Sequence, residues 1–143
     1  MYTLNRRELT GIVASGFLAS QPWSISAAAM DDQTKFFIAE AERMKQLAIA
    51  SGDQAYGAII VKNNKIVGFG PSRVVVDHNR DAHAERVAMW DAQKNLGTKD
   101  LAGCIIYSTS RPCVACEEAL AEANIEKMFY GPQAKEGGRP KVR

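Results

Sequence analysis

The stretch from Gly103 to Gly131, GCIIYSTSRPCVACEEALAEANIEKMFYG, decides the fold. Gly103–Thr109 is a short apolar run of the kind that forms a buried strand. Pro112–Ala123 reads as a helix, with its proline near the first turn, where a missing N–H costs nothing. Lys127–Gly131 (KMFYG) is a second short strand. A strand, a helix and a strand so close in sequence imply a crossover connection and parallel pairing.

The same alternation continues toward the N-terminus. His83 to about Asn95 (HAERVAMWDAQKN) is helical, with Ala84, Val87, Ala88 and Asp91 close to one face and Gly97 ending it. The segment Pro71–Ala82 is a loop. Before it, Tyr56–Lys62 (YGAIIVK) and Lys65–Gly70 (KIVGFG) read as two strands. Asn63-Asn64 joins them, and asparagine tolerates the positive φ that a two-residue hairpin turn demands. From Asp31 to about Ser51, the residues Phe37, Ala41, Met44 and Ala48 recur at helical spacing. Asp31 or Asp32 is the expected N-cap and Gly52 the stop. The order is αββαβαβ, with a largely parallel half of the sheet. The tail Pro132–Arg143 is rich in Gly, Pro, Lys and Arg and is expected to be loose.

Composition bounds the answer. The 143 residues are 46% hydrophobic and 24% charged, with a net charge of +2. That is a soluble globular chain of one domain, too apolar and too weakly charged for disorder. No apolar run reaches the roughly 18 residues of a membrane span. The charge is too small to argue for nucleic acid. Residues 1–29 stand apart: Arg6 and Arg7 precede a mildly apolar stretch, Gly11–Ala19, and the segment closes on Ala27-Ala28-Ala29. This layout is that of a cleaved export signal and resembles a bacterial twin-arginine signal. The expected domains are therefore a signal, 1–29, and one domain, 30–143. The expected address is the periplasm, with the cytoplasm as the alternative. Losing Arg6, Arg7 and Glu8 takes the 18 basic and 16 acidic residues to 16 and 15, nearly neutral.

The chemistry sits in few residues. The chain has two histidines, His78 and His83, and three cysteines, of which Cys113 and Cys116 form Cys-x-x-Cys. Zinc takes imidazole and thiolate together, tetrahedrally. Cys113 and Cys116 can point the same way from the first turn of a helix, and a helix N-terminus favours thiolate. With His83 they make three ligands and leave a fourth position for water, the catalytic rather than the structural pattern. Glu85 supplies a carboxylate to move protons. On a helix interior His83 and Glu85 would diverge, so the site requires zinc to lie beyond the helix end. The competing readings are a closed four-ligand site that adds His78, and a redox pair of Cys113 and Cys116. Cys104 is expected to be an inert core thiol, and Met89, Trp90 and Tyr107 core residues.

His83-Ala84-Glu85 followed by Pro112-Cys113-Val114-Ala115-Cys116 resembles the H-x-E…P-C-x-x-C signature of zinc nucleobase deaminases. The likeness spans roughly Tyr56 to Gly131. It is closest to the branch with a histidine ligand: guanine deaminases, tRNA adenosine deaminases, yeast-type cytosine deaminase and deoxycytidylate deaminases. The resemblance implies a cytidine-deaminase-like three-layer α/β/α sandwich around a mixed sheet. It also implies one zinc per chain on His83, Cys113 and Cys116, with Glu85 as the catalytic proton carrier. Ser72, Ala58 and Ala84 are the implied substrate contacts. The implied reaction is hydrolytic loss of ammonia from a free base or nucleoside, guanine-type purines being favoured. The alternatives are a tRNA adenosine deaminase and a catalytically inactive zinc-binding module. A homodimer is implied; nucleic acid, and a membrane for the mature form, are not expected as partners. Three departures stand out. Ser72 replaces an Asn usual in purine-type members, Arg111 replaces a frequent Glu, and the chain stops short of a fifth strand and a C-terminal helix.

Overall fold

Asp31 opens the first helix: its carboxylate accepts a 2.7 Å hydrogen bond from the Thr34 N–H, a side-chain N-cap. The computed structural model describes residues 30–143, and the expected export signal lies outside the described residues. Helix α1 (Asp32–Ala50) buries Phe37, Ala41, Met44 and Ala48, the residues whose spacing marks its apolar face. Strands β1 (Gly57–Lys62) and β2 (Lys65–Pro71) follow as an antiparallel hairpin. Its turn residues Asn63 and Asn64 both take positive φ, 50° and 61°. Then come α2 (Ala84–Leu96), β3 (Cys104–Ser108), α3 (Val114–Glu122), β4 (Lys127–Tyr130) and β5 (Lys135–Gly138).

The strands form one sheet in the order β2-β1-β3-β4-β5. Residues alternate between its faces, as the period of a strand requires. On one face Ala58, Ile60, Cys104, Ile106 and Met128 pack with Ala88, Ala92 and Leu120 of α2 and α3. On the other, Ile59, Val61 and Tyr107 meet Phe37, Ala41 and Met44 of α1. The result is the expected three-layer α/β/α arrangement with a mixed sheet. Two glycines set the spacing of its layers. A Cβ on Gly70 would run into the Ala84 carbonyl, and one on Gly68 into that of Ala88. Bare backbone on β2 against an alanine face on α2 (Ala84, Ala88, Ala92) lets the helix lie directly on the strand.

Four expectations are corrected. The sheet has only one parallel pair, β3 with β4; the β2–α2–β3 crossover spans β1, which lies between those strands and pairs antiparallel to both. The tail is not loose: Lys135–Gly138 returns antiparallel to β4 as a fifth strand. Beyond it, the Lys141 and Arg143 N–H groups donate to Glu117 and Glu118 of α3, each at 3.3 Å. The Arg143 guanidinium also lies 3.7 Å from the buried Glu117 carboxylate. Pro112 precedes α3 rather than opening it, because Cys113 is the cap. Trp90 is 39% exposed, on the outer face of α2 rather than in the core. Tyr107, by contrast, is buried and stacked on Phe129, 5.1 Å between centroids.

Candidate active site and metal centre

Helices α2 and α3 both begin at the same edge of the sheet, and each begins with a metal-binding residue type. His83 is the N-cap of α2, with an extended backbone (φ −62°, ψ 153°). That position resolves the divergence expected of residues two apart. His83 stands outside the helix, while Glu85 sits in its first turn, and both face one cavity. Cys113 is the N-cap of α3 (φ −66°, ψ 166°), and its sulfur accepts from the Cys116 N–H at 3.4 Å. The sulfur does at α3 what a Ser or Asp oxygen does at an ordinary helix start.

His83 Nδ1 lies 3.7 Å from Cys113 Sγ and 3.4 Å from Cys116 Sγ. All three potential ligand atoms fall within 4.8 Å of one another, the only such His/Cys/Asp/Glu group of three or more among the described residues. The spacing suits one tetrahedral ion bound by one nitrogen and two sulfurs. Burial pushes the Cys116 thiol well above its ordinary range, and the Glu85 carboxylate beside it adds to the push. A dication on the same sulfur reverses that balance, because a coordinating thiol is deprotonated outright. The donor set therefore fits zinc. His78 is exposed, takes a positive φ of 48° in the loop before α2, and is not in the group. Cys104 is fully buried among apolar neighbours, and burial raises its thiol pKa.

Glu85 is buried at 5% exposure and accepts a 2.9 Å hydrogen bond from the Ser108 hydroxyl at the end of β3. That bond fixes one carboxylate oxygen and leaves the other free for proton transfer. The adjacent Arg86 ties the two helix starts together: its guanidinium donates to the Ala115 carbonyl at 3.0 Å and lies 3.4 Å from Asp81.

The cavity over these groups has a volume of about 600 Å³. His83, Ala84, Glu85 and Cys113 line it together with Gln54, Ala55, Tyr56, Ser110 and Arg111. Of the three residues expected to touch substrate, Ala84 is in this lining. Ala58 is wholly buried in the core beneath, and Ser72 is not among the lining residues. The Ser72 hydroxyl donates instead to Asp53 at 2.9 Å. Asp53 also accepts from the Val75 and Val76 N–H groups, at 2.8 and 2.9 Å, fastening the loop after β2 to the segment before β1. Partial desolvation opposes its ionisation, yet the hydrogen bonds, led by Val76, hold its carboxyl below the usual range. Gln54, Tyr56 and Ser110 did not stand out in the sequence. Their signal was adjacency: Tyr56 immediately precedes β1, and Ser110 and Arg111 immediately precede Pro112-Cys113.

Comparison with known proteins matches this geometry. The family model of the cytidine and deoxycytidylate deaminase zinc-binding region matches residues 31–132. The tRNA-specific adenosine deaminase of Aquifex aeolicus is 36% identical over 104 residues, covering 73% of this chain and 69% of that one. The guanine deaminase of Bacillus subtilis is 36% identical over 78 residues, covering 54% and 50%. Among solved structures, guanine deaminase from Bacillus subtilis superposes with a TM-score of 0.66 at 32% identity, covering 71% of this chain and 64% of that one. A structure from a study of tRNA wobble-position deaminases gives 0.65 at 27% identity, covering 67% and 70%. The match runs through both helix starts and the whole cavity edge, and on it the chain belongs to the cytidine and deoxycytidylate deaminase zinc-binding family, whose members hydrolyse the C–N bond of cyclic amidines.

Proposed function

We propose that the protein deaminates a purine base or its nucleoside, guanine-type rings ahead of cytosine, and releases ammonia. The observation that carries this is the meeting of Glu85 with His83 and Cys113 in the lining of one cavity of about 600 Å³, the buried Cys116 completing the ligand group. Zinc bound there supplies an activated water at neutral pH. The chain's own part is positional. Ser108 holds Glu85 so that its free oxygen can take a proton from the water and hand protons to the ring and the departing amine. Tyr56 and Ala84 on the cavity wall limit where a flat ring can lie. The guanine preference draws on the likeness to Bacillus subtilis guanine deaminase.

A second reading, deamination of adenosine in tRNA, draws on the likeness to the Aquifex aeolicus enzyme. The proposed setting is a homodimer exported through the twin-arginine route, in which folding and zinc loading precede transport. The deciding experiment is ammonia release from guanine, cytosine, adenine, their nucleosides and a short RNA hairpin. It is run with zinc-loaded protein and with Glu85→Gln. Guanine or guanosine should be fastest, with one zinc per chain, and Glu85→Gln should keep the zinc while turnover falls by about 10²–10⁴. Fastest turnover of the hairpin would move the assignment to RNA. Turnover of nothing in the panel would remove the enzymatic reading.

A further inference from the structure

The two edges of the sheet differ in what they offer an approaching strand. The edge formed by β5 is four residues long, carries Lys135 and Glu136, and ends at Gly138 with a φ of 73°. Shortness and charge discourage pairing there. Strand β2, at the other edge, is built differently. It runs seven residues, Lys65–Pro71, with Ile66, Val67 and Phe69 in its middle and one charge, at its first position. A strand of that kind, left open, is a template for another chain.

Side chains of α2 occupy the backbone of β2 instead. Gly68 and Gly70 stand opposite Ile60 and Ala58 of β1, and a register shift between Ile60 and Val61 leaves Val67 without a partner on β1. The Val67 carbonyl accepts from the Asn95 side-chain amide at 2.9 Å. The Phe69 N–H donates to the Asp91 carboxylate at 2.8 Å. Two residues beyond Phe69 comes Pro71, which has no N–H to offer. The half-buried Phe69 ring also lies under the Arg43 guanidinium, 5.6 Å from its centroid, which sets a charge beside this stretch.

The polarity of each side chain matches the group it meets. A carboxylate accepts where the strand donates, and an amide donates where the strand accepts. The spacing matches too. Asp91 and Asn95 are four apart, about 6 Å along a helix, while Phe69 and Val67 are two apart, about 6.7 Å along a strand. Residue numbers rise along α2 as they fall along β2, so both bonds close together in one register only. Gly68 and Gly70 bring α2 near enough for these side chains to reach over the edge.

We propose that Asp91 and Asn95 guard the β2 edge, and that the partner they exclude is the β2 edge of a second copy of this chain. The strand suits itself. It carries no acidic residue, and in an antiparallel pair its two Lys65 ammonium groups fall at opposite ends, so like charges do not meet. Such a pairing is isologous, the same edge serving both chains. The guard is separate from the reaction, since neither residue lines the catalytic cavity.

The test uses zinc-loaded wild type, Asp91→Ala, Asn95→Ala, the double variant and Asp91→Asn, which keeps an oxygen to accept from Phe69. In dilute protein the Phe69 amide should exchange its hydrogen about tenfold faster or more in Asp91→Ala than in wild type, and near the wild-type rate in Asp91→Asn. By light scattering, the double variant should grow with concentration beyond the wild type's own mass. Exchange across Lys65–Pro71 should slow as that mass rises. Wild type and Asp91→Asn should do neither. Equal Phe69 exchange in wild type and Asp91→Ala overturns the proposal, as does a folded double variant that keeps the wild-type mass. Association that leaves exchange across Lys65–Pro71 unchanged overturns it as well. If the double variant does not fold, the single variants carry both measurements. Growth of either with slowed exchange at β2 then supports the guard, and wild-type mass in both overturns it.

Discussion

Asp53 shows how much one side chain can organise. It lies in the connection between α1 and β1 and gathers the Ser72 hydroxyl and the Val75 and Val76 amides, which come from the far side of the hairpin. Replacing it by alanine leaves the buried Ser72 hydroxyl without a partner, at a cost of about 1–3 kcal/mol. The expected result for Asp53→Ala is a lower melting temperature with zinc still bound, read by thermal unfolding and elemental analysis. An unchanged melting temperature would mean the loop is held by something else. The carboxyl is depressed in the folded state, so it contributes stability above the ordinary aspartate value of about 3.9. That contribution is lost as the pH falls through the lower folded value. The wild type should therefore lose more stability below about pH 4 than Asp53→Ala does, which paired denaturant titrations at pH 6 and below pH 4 would show. None of this could be read from the sequence. From the sequence Ser72 reads as a substrate contact, because a side chain's partner 19 residues away leaves no mark on local pattern.

At the scale of elements, contact between α2 and β2 places His83. Gly68 and Gly70 face Ala84, Ala88 and Ala92 with no room for a methyl group between. Gly70→Ala should push the start of α2 away from the sheet and cost about 1–3 kcal/mol as an overpacked contact. It should also weaken zinc binding, since His83 caps the displaced end. Competition with a chelator measures the second effect. A Gly70→Ala domain that binds zinc as tightly as wild type would dissociate the helix seat from the metal site. The elements themselves were largely legible. The apolar face of α1, the Asn63-Asn64 turn and both core strands follow from periodicities that burial enforces. Strand β5 was not, because its four residues are Lys135, Glu136, Gly137 and Gly138, which carry no apolar alternation. Pairing to β4 defines it, and pairing is a tertiary fact.

Taken whole, the molecule places its chemistry at one edge of the sheet, and that much was legible from His83, Glu85, Cys113 and Cys116. Types and spacing alone pointed to the metal, since few other constellations use those donors in that order. The rest of the cavity wall was not legible. Gln54, Tyr56 and Ser110 reach it through the sheet order, which brings the start of β1 beside the end of β3. On the opposite face a second cavity of about 340 Å³ opens between α1 and the last strands, lined in part by Ile38, Tyr107, Phe129 and Ala134. The proposed homodimer should be visible by light scattering at micromolar concentration, as twice the mass of the chain. A monomeric mass would contradict it.

The sulfur cap of α3 links the metal to a clock. Cys113 Sγ accepts the Cys116 N–H, so one atom closes the helix and belongs to the metal group. A hydrogen bond to an ionised acceptor is roughly twice as strong as one between neutral partners. When zinc fixes Cys113 as thiolate, the first turn of α3 should open less often. The rate at which the Cys116 amide trades its hydrogen for deuterium then becomes a direct readout of occupancy. It should slow by an order of magnitude or more on zinc loading, while amides in the middle of α1 barely change. The same amide exchanging at equal rates with and without zinc would separate the cap from the metal.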